Sequence, residues 1–169
     1  MADNPRVALV MGSDSDWEKV KNAVIALEEF GLTCDVQVMS AHRTPGLVHD
    51  FATTAIERGV EVILAAAGGA AHLGGVVASL TTLPVIGIPV TTDLAGGLDS
   101  LLSIVQMPGD VPVATVGTGS GGARNAGILA VQIMATGDPE LRSKLVEYKK
   151  KLVEKVTAKN AKLQEKMKS

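Results

Sequence analysis

Between Val62 and Thr92 the chain carries no Asp, Glu, Lys or Arg. A stretch this long and this free of charge has two physical solutions. It crosses a bilayer as one helix, or it is cut into shorter pieces buried in a protein core. The punctuation decides between them. Gly68-Gly69, Gly74-Gly75, Pro84 and Pro89 interrupt it at strand-sized intervals. The stretch therefore reads as two buried strands, Val60 to Ala66 and Leu83 to Ile88, around a glycine-rich loop and a short helix of small residues. Strands apolar at every position, rather than at alternate ones, belong to a parallel sheet covered on both faces.

The same rhythm runs through the rest of the chain. Arg6 to Met11 is a continuous apolar strand, and the polar turn Gly12-Ser13-Asp14-Ser15-Asp16 follows it. Ser15-x-x-Glu18 has the spacing of a capping box, so a helix is expected from there. Val20, Ala23, Val24 and Leu27 recur at helical spacing, and Gly31 closes the helix. Thr33 to Met39 is a second strand, more polar than the first and so nearer an edge. Ser40-Ala41-His42-Arg43-Thr44-Pro45 comes next. Thr44 suits an N-cap and Pro45 the first helical position; the helix carries Leu47, Val48, Phe51, Ala52, Ala55 and Ile56 and ends at Gly59. After the charge-free stretch come a helix following Asp99, a fifth strand from Val111 to Val116, the loop Gly117 to Gly122, and a helix from Ala126 to Ala135.

Asp138-Pro139-Glu140 opens a final helix. Its apolar stripe is Leu141, Leu145, Tyr148, Leu152, Val156, Leu163 and Met167, with lysine and glutamate opposite. At about 1.5 Å per residue it would run on the order of 40 Å, more than one small body can cover, so it is expected to pack on neighbouring subunits. Its turns beyond about Ala158 are expected to fray. Strand and helix alternate throughout, which implies an α/β fold with a parallel sheet between two helical layers. Residues 1–169 read as one domain, with 138–169 as the C-terminal helix.

Composition narrows the function. The chain has 169 residues, 46% of them hydrophobic and 20% charged, with a net charge of −2. No basic field exists to hold a nucleic-acid backbone, and an aromatic fraction of 2% leaves no stacking platform. The single Cys34 forms no internal disulfide, and the three histidines lack metal spacing with carboxylates. A reducing, cytoplasmic setting follows. No Walker lysine is present, and Gly117-x-Gly119-x-Gly121-Gly122 has the wrong spacing for a dinucleotide fingerprint.

In a parallel sheet the loops after the strands gather along one edge, where such folds bind ligands. The loops so placed carry Ser13 and Asp16, His42 and Arg43, Gly68 to His72, and Gly117 to Gly122. Free backbone N–H groups at helix N-termini suit a phosphate, with Ser13 adding a hydroxyl and Arg43 a bidentate contact. Asp16 either complements its helix dipole or holds sugar hydroxyls or a ring amine. His42 is either a surface turn histidine or a general acid/base. His72 is either a satisfied loop histidine or a ligand contact. His49 faces solvent.

Four blocks then resemble one family: Val10-Met11-Gly12-Ser13-x-Ser15-Asp16-Trp17; Ser40 to Pro45; Ala67-Gly68-Gly69-Ala70-Ala71-His72-Leu73; and Asp99-Ser100-Leu101-x-Ser103-Ile104-Val105-Gln106-Met107-Pro108. In this order they resemble class I 5-(carboxyamino)imidazole ribonucleotide mutase, from about Arg6 to about Leu145. The resemblance implies a flavodoxin-like three-layer α/β/α sandwich with a five-stranded parallel sheet and a long C-terminal helix. It implies a homo-octamer whose sites are shared between subunits, acting in bacterial de novo purine (IMP) synthesis on a small ribonucleotide. It implies neither metal nor organic cofactor. The reaction it implies moves a carboxylate from the exocyclic amine of the aminoimidazole to carbon 4, by decarboxylation, recapture of CO2 and loss of the carbon-4 proton. Carried over by motif position, His42 moves the proton, while Ser13, Asp16 and Arg43 bind the ribonucleotide. Ser40, Gly69, Ala70, His72 and Leu73 line the pocket.

The chain departs from the family pattern at Gly74, where proline is usual, at Ser120, where lysine is usual, and at Thr91, where glutamine is common. Two other readings compete: the related carboxylase that takes free CO2, and a non-enzymatic nucleotide-binding module of the same shape.

Overall fold

A computed structural model describes residues 4–168. Its strands are β1 (Val7–Met11), β2 (Cys34–Val38), β3 (Val62–Ala67), β4 (Val85–Pro89) and β5 (Ala114–Thr115). All pair in parallel, in the order β2-β1-β3-β4-β5. The helices are α1 (Trp17–Val20), α2 (Asn22–Glu28), α3 (Pro45–Thr54), α4 (Leu73–Leu80), α5 (Leu98–Val105), α6 (Gly119–Met134) and α7 (Pro139–Lys166). This is the flavodoxin-like three-layer arrangement, with β2 at an edge as its polar composition predicts.

The pleat sorts the core into two. Val7, Leu9 and Met11 of β1 face one side, where α2, α6 and the start of α7 cover them. Ala8 and Val10 face the other, against α3, α4 and Ile104 of α5. Every residue of β1, β3 and β4 is buried, which accounts for the charge-free run. Burial on this scale, at about 25 cal/mol per Å² of apolar surface, is the main favourable contribution to folding. Helices α2 and α6 approach unusually closely at Gly127, where a Cβ would lie 2.4 Å from the Ala23 carbonyl oxygen. Only glycine fits there.

Four local expectations are corrected. The Ser15–Glu18 capping box does not form. Asp14–Asp16 is instead a single 3-10 turn whose N-cap is Ser13, and Asp16 takes the N-cap position of α1. The Thr44 hydroxyl does not cap α3. It turns back to accept from the Ser40 N–H at 2.9 Å and donate to the Ser40 carbonyl at 3.2 Å. Strand β5 shrinks to two paired residues, because Pro112 has no N–H to give a ladder. Helix α6 begins at Gly119, inside the expected loop, with the small residues Gly122, Ala123 and Ala126 already buried.

Helix α7 runs unbroken for 28 residues to Lys166, past the expected fraying point near Ala158. Asp138 caps it, accepting from the N–H groups of Glu140 and Leu141. Arg6 holds the other oxygen of the same carboxylate at 2.8 Å while also pairing with Glu61. Of the apolar stripe, Leu141, Leu145 and Tyr148 pack against the body. Leu152, Val156, Leu163 and Met167 are exposed, Val156 by 65% and Met167 by 75%.

Candidate active site

The sheet order places the site. From β1 the chain moves outward to β2, then returns across β1 to β3. The loops after β1 and β3 therefore leave the sheet on opposite sides, opening a crevice at the carboxyl ends of the strands. A cavity of about 420 Å³ occupies it. Its walls come from four strand-end segments: Gly12 to Lys19, Ser40 to Arg43, Ala67 to Leu73, and Val90 to Thr92.

Eight of the nine site residues read from the sequence line this cavity: Ser13, Asp16, Ser40, His42, Arg43, Ala70, His72 and Leu73. Gly69 does not. It lies between Gly68 and Ala70 of the wall and donates its N–H to the Ser100 hydroxyl at 2.9 Å. Ser100 is completely buried on α5. The Gly117–Gly122 loop does not reach the cavity lining either; the segment after β4 supplies the fourth wall. With α6 starting at Gly119, that loop is taken up in the helix and its N-terminus.

Each side chain is held by its neighbours. Arg43 Nη2 donates to the Gly12 carbonyl at 2.8 Å, tying the first wall to the second. The Ser40 hydroxyl accepts the Arg43 N–H at 3.2 Å. The Ser13 hydroxyl accepts the Ser15 N–H at 3.3 Å and lies 2.8 Å from the Ser15 hydroxyl. Asp16 is partly buried, and burial raises its pKa above the ordinary carboxylate value; the charge of Lys19 pulls in the opposite direction. These groups form an anion-fitted side, with hydroxyls and an arginine, next to one carboxylate.

Across from them, His42 Nε2 lies 2.8 Å from His72 Nδ1, with the rings edge to face. That hydrogen bond requires one facing nitrogen to carry a proton and the other to lack one. Each ring keeps its second nitrogen for another partner. The pair can therefore hold a proton between two rings at the cavity wall.

Sequence reasoning missed Lys19, Val90, Thr92 and Ser100. Lys19 stands three residues after Asp16, a helical spacing that could have flagged it. Ser100 lies inside a motif block that carried no role for it. No group of three His, Cys, Asp or Glu placed to hold a metal ion occurs among the described residues.

Residues 6–155 match the model of the AIR carboxylase family. The chain belongs to the AIR carboxylase family. Among relatives of this AIR carboxylase family member, a Mycobacterium leprae protein named N5-carboxyaminoimidazole ribonucleotide mutase is 56% identical over 164 residues, covering 97% of this chain and 95% of its own. A Thermotoga maritima protein of the same name is 53% identical over 161 residues, covering 95% and 93%. The crystal structure of Treponema denticola PurE superposes with a TM-score of 0.84 at 27% identity, covering 94% of this AIR carboxylase family chain and 98% of its own.

Proposed function

We propose that this protein is an isomerase of de novo purine synthesis, converting 5-(carboxyamino)imidazole ribonucleotide to 4-carboxy-5-aminoimidazole ribonucleotide. The observation that carries this reading is the His42–His72 pair, 2.8 Å apart beside the Ser13, Asp16 and Arg43 wall. Relatives named as this mutase, at 56% and 53% identity over nearly the whole chain, support it.

The geometry suits a reaction that breaks an N–CO2 bond and forms a C–CO2 bond. The N–C bond of the carboxyamino group breaks, its electron pair stays on nitrogen, and CO2 is released as that nitrogen takes a proton. Carbon 4 of the ring then attacks the CO2, forming a C–C bond and leaving carbon 4 with both hydrogen and carboxylate. Removal of that hydrogen as a proton restores the aromatic ring. One proton is taken up and one is given back, so a single acid/base group serves both steps. His42 fills that role, and His72 at the pocket wall orients it. Ser13 and Arg43 hold the phosphate, Asp16 the sugar hydroxyls, and Ser40, Ala70, Leu73 and the Gly69 backbone hold the ring. A held ring and a small cavity keep released CO2 within reach of carbon 4.

The exposed half of the α7 stripe supports a homo-oligomer, which we read as an octamer, in the cytoplasm. No helix among the described residues is long and apolar enough to cross a membrane.

The test feeds the purified protein each substrate with and without bicarbonate. Turnover of the carboxyamino substrate without bicarbonate is expected. Turnover of the bare aminoimidazole ribonucleotide only, and only with bicarbonate, would identify a carboxylase instead.

A further inference from the structure

Lys19 belongs to no role described so far, yet it sits in the cavity wall. It projects from α1, one turn beyond Asp16, and its ammonium donates to the Thr91 carbonyl at 3.0 Å. That contact joins residues 72 apart in sequence, on opposite walls of the cleft. The segment it reaches leaves the sheet just there: the last ladder bond is Val90 N–H to the Ala67 carbonyl at 2.9 Å. Beyond it the backbone bends back on itself through Ala95, Gly96 and Gly97, three successive left-handed residues. Gly97 comes so close that a Cβ there would lie 3.0 Å from the Thr91 Cα. The Thr92 hydroxyl donates to Asp99 at 2.6 Å, tying the start of the loop to α5. Thr91, the residue before it, is met from across the cleft by Lys19.

We propose that Lys19 is a positioning residue: its ammonium bridges the cleft from α1 to the loop after β4, fixing the Thr91 wall at a set distance from the Asp16 carboxylate that receives the sugar. This rests on the mutase reading of the same cavity. Two properties of the side chain act here, and they are separable. The hydrogen bond sets the width of the cleft. The positive charge opposes the burial that raises the pKa of Asp16. Asp14 on the same turn works against Lys19, raising that pKa. Arg43, His42 and His72 are the other charged or titratable groups that line the cavity. A carboxyl that must be ionised to accept sugar hydroxyls therefore works to lower pH with Lys19 present than without it.

The experiment compares Lys19→Met, Lys19→Gln and Lys19→Arg with the full-length wild type, measuring KM, kcat, Tm and the pH profile of kcat/KM, together with product affinity by calorimetry. Lys19→Met is expected to raise KM on the order of tenfold, the scale of one charge-assisted hydrogen bond, with kcat within about twofold. Its acid limb moves to higher pH. Lys19→Gln moves the limb the same way, and Lys19→Arg restores both KM and the limb. Tm stays near the wild-type value in all three. Wild-type KM and an unmoved acid limb in Lys19→Met would overturn the proposal alone, as would a loss that tracks Tm and is not rescued by arginine. A wild type that neither turns over nor binds the product would overturn the mutase reading, and this proposal with it.

Discussion

His42 Nε2 and His72 Nδ1 meet at 2.8 Å, joining the loop after β2 to the loop before α4. Neither histidine has a carboxylate partner among the hydrogen bonds of this site; each has the other. The proton they share is thus placed by two loops at once, and the position of each ring depends on both.

Replacing His42 by Asn removes the proposed proton carrier while keeping a polar side chain. Turnover is expected to fall by about 10²–10⁴, the range for loss of a general acid/base, with product binding retained in calorimetry. Full activity in His42→Asn would remove His42 from the proton step. His72→Asn is expected to cost less, on the order of tenfold in kcat, since it disturbs the orientation of the base and leaves the base itself.

Ser100 has no exposed surface and receives the Gly69 N–H. Ser100→Ala leaves that donor without its partner, at a cost of about 1–3 kcal/mol. Chemical denaturation would read the loss, and KM should rise with it because Gly69 shapes the wall between Gly68 and Ala70. Unchanged stability would mean that water takes the place of the hydroxyl.

The Asp138 carboxyl is held below its ordinary range, chiefly by the Arg6 guanidinium and then by the α7 N–H groups. A depressed folded-state pKa contributes stability above the ordinary carboxylate range and loses it as pH falls through the folded value. Asp138→Asn should therefore lower Tm by a few degrees at neutral pH, and the gap to wild type should close in acid. A gap that stays constant from neutral pH to about pH 3 would contradict the linkage.

The outer stripe of α7 gives a direct test of assembly. Leu152→Glu combined with Val156→Glu puts charge on two exposed apolar positions outside the core clusters. Sedimentation should show smaller particles with far-ultraviolet helicity retained. A particle of unchanged mass would place the subunit contacts elsewhere.

Much of this architecture was legible in the sequence because its signals were physical. Continuous apolar runs at Val7–Met11 and Val62–Ala67 mark strands covered on both faces, and the more polar Cys34–Val38 marks an edge. Local capping was harder to read. Ser13 and Ser15 are both competent caps two residues apart, and their competition is settled by the 3-10 turn, which no spacing rule reveals. The fourth wall was misplaced because glycine-rich Gly117–Gly122 looks like a ligand loop, whereas it leads into α6 and Gly122 serves a close backbone approach. A Cβ on Gly122 would overlap the Gly117 carbonyl. Lys19 was overlooked because its partner is a backbone carbonyl 72 residues away, and backbone carbonyls leave no mark in a sequence.

The cavity draws its walls from segments after β1, β2, β3 and β4, so no single strand–loop unit of the chain contains it. Occupancy then reports on four strands at once: a nucleotide that binds only the complete arrangement raises the free energy of every opening that separates those strands. At 100 times its dissociation constant it would add about 2.7 kcal/mol to global unfolding. Metabolite supply thereby becomes a determinant of how long the folded chain survives proteolysis.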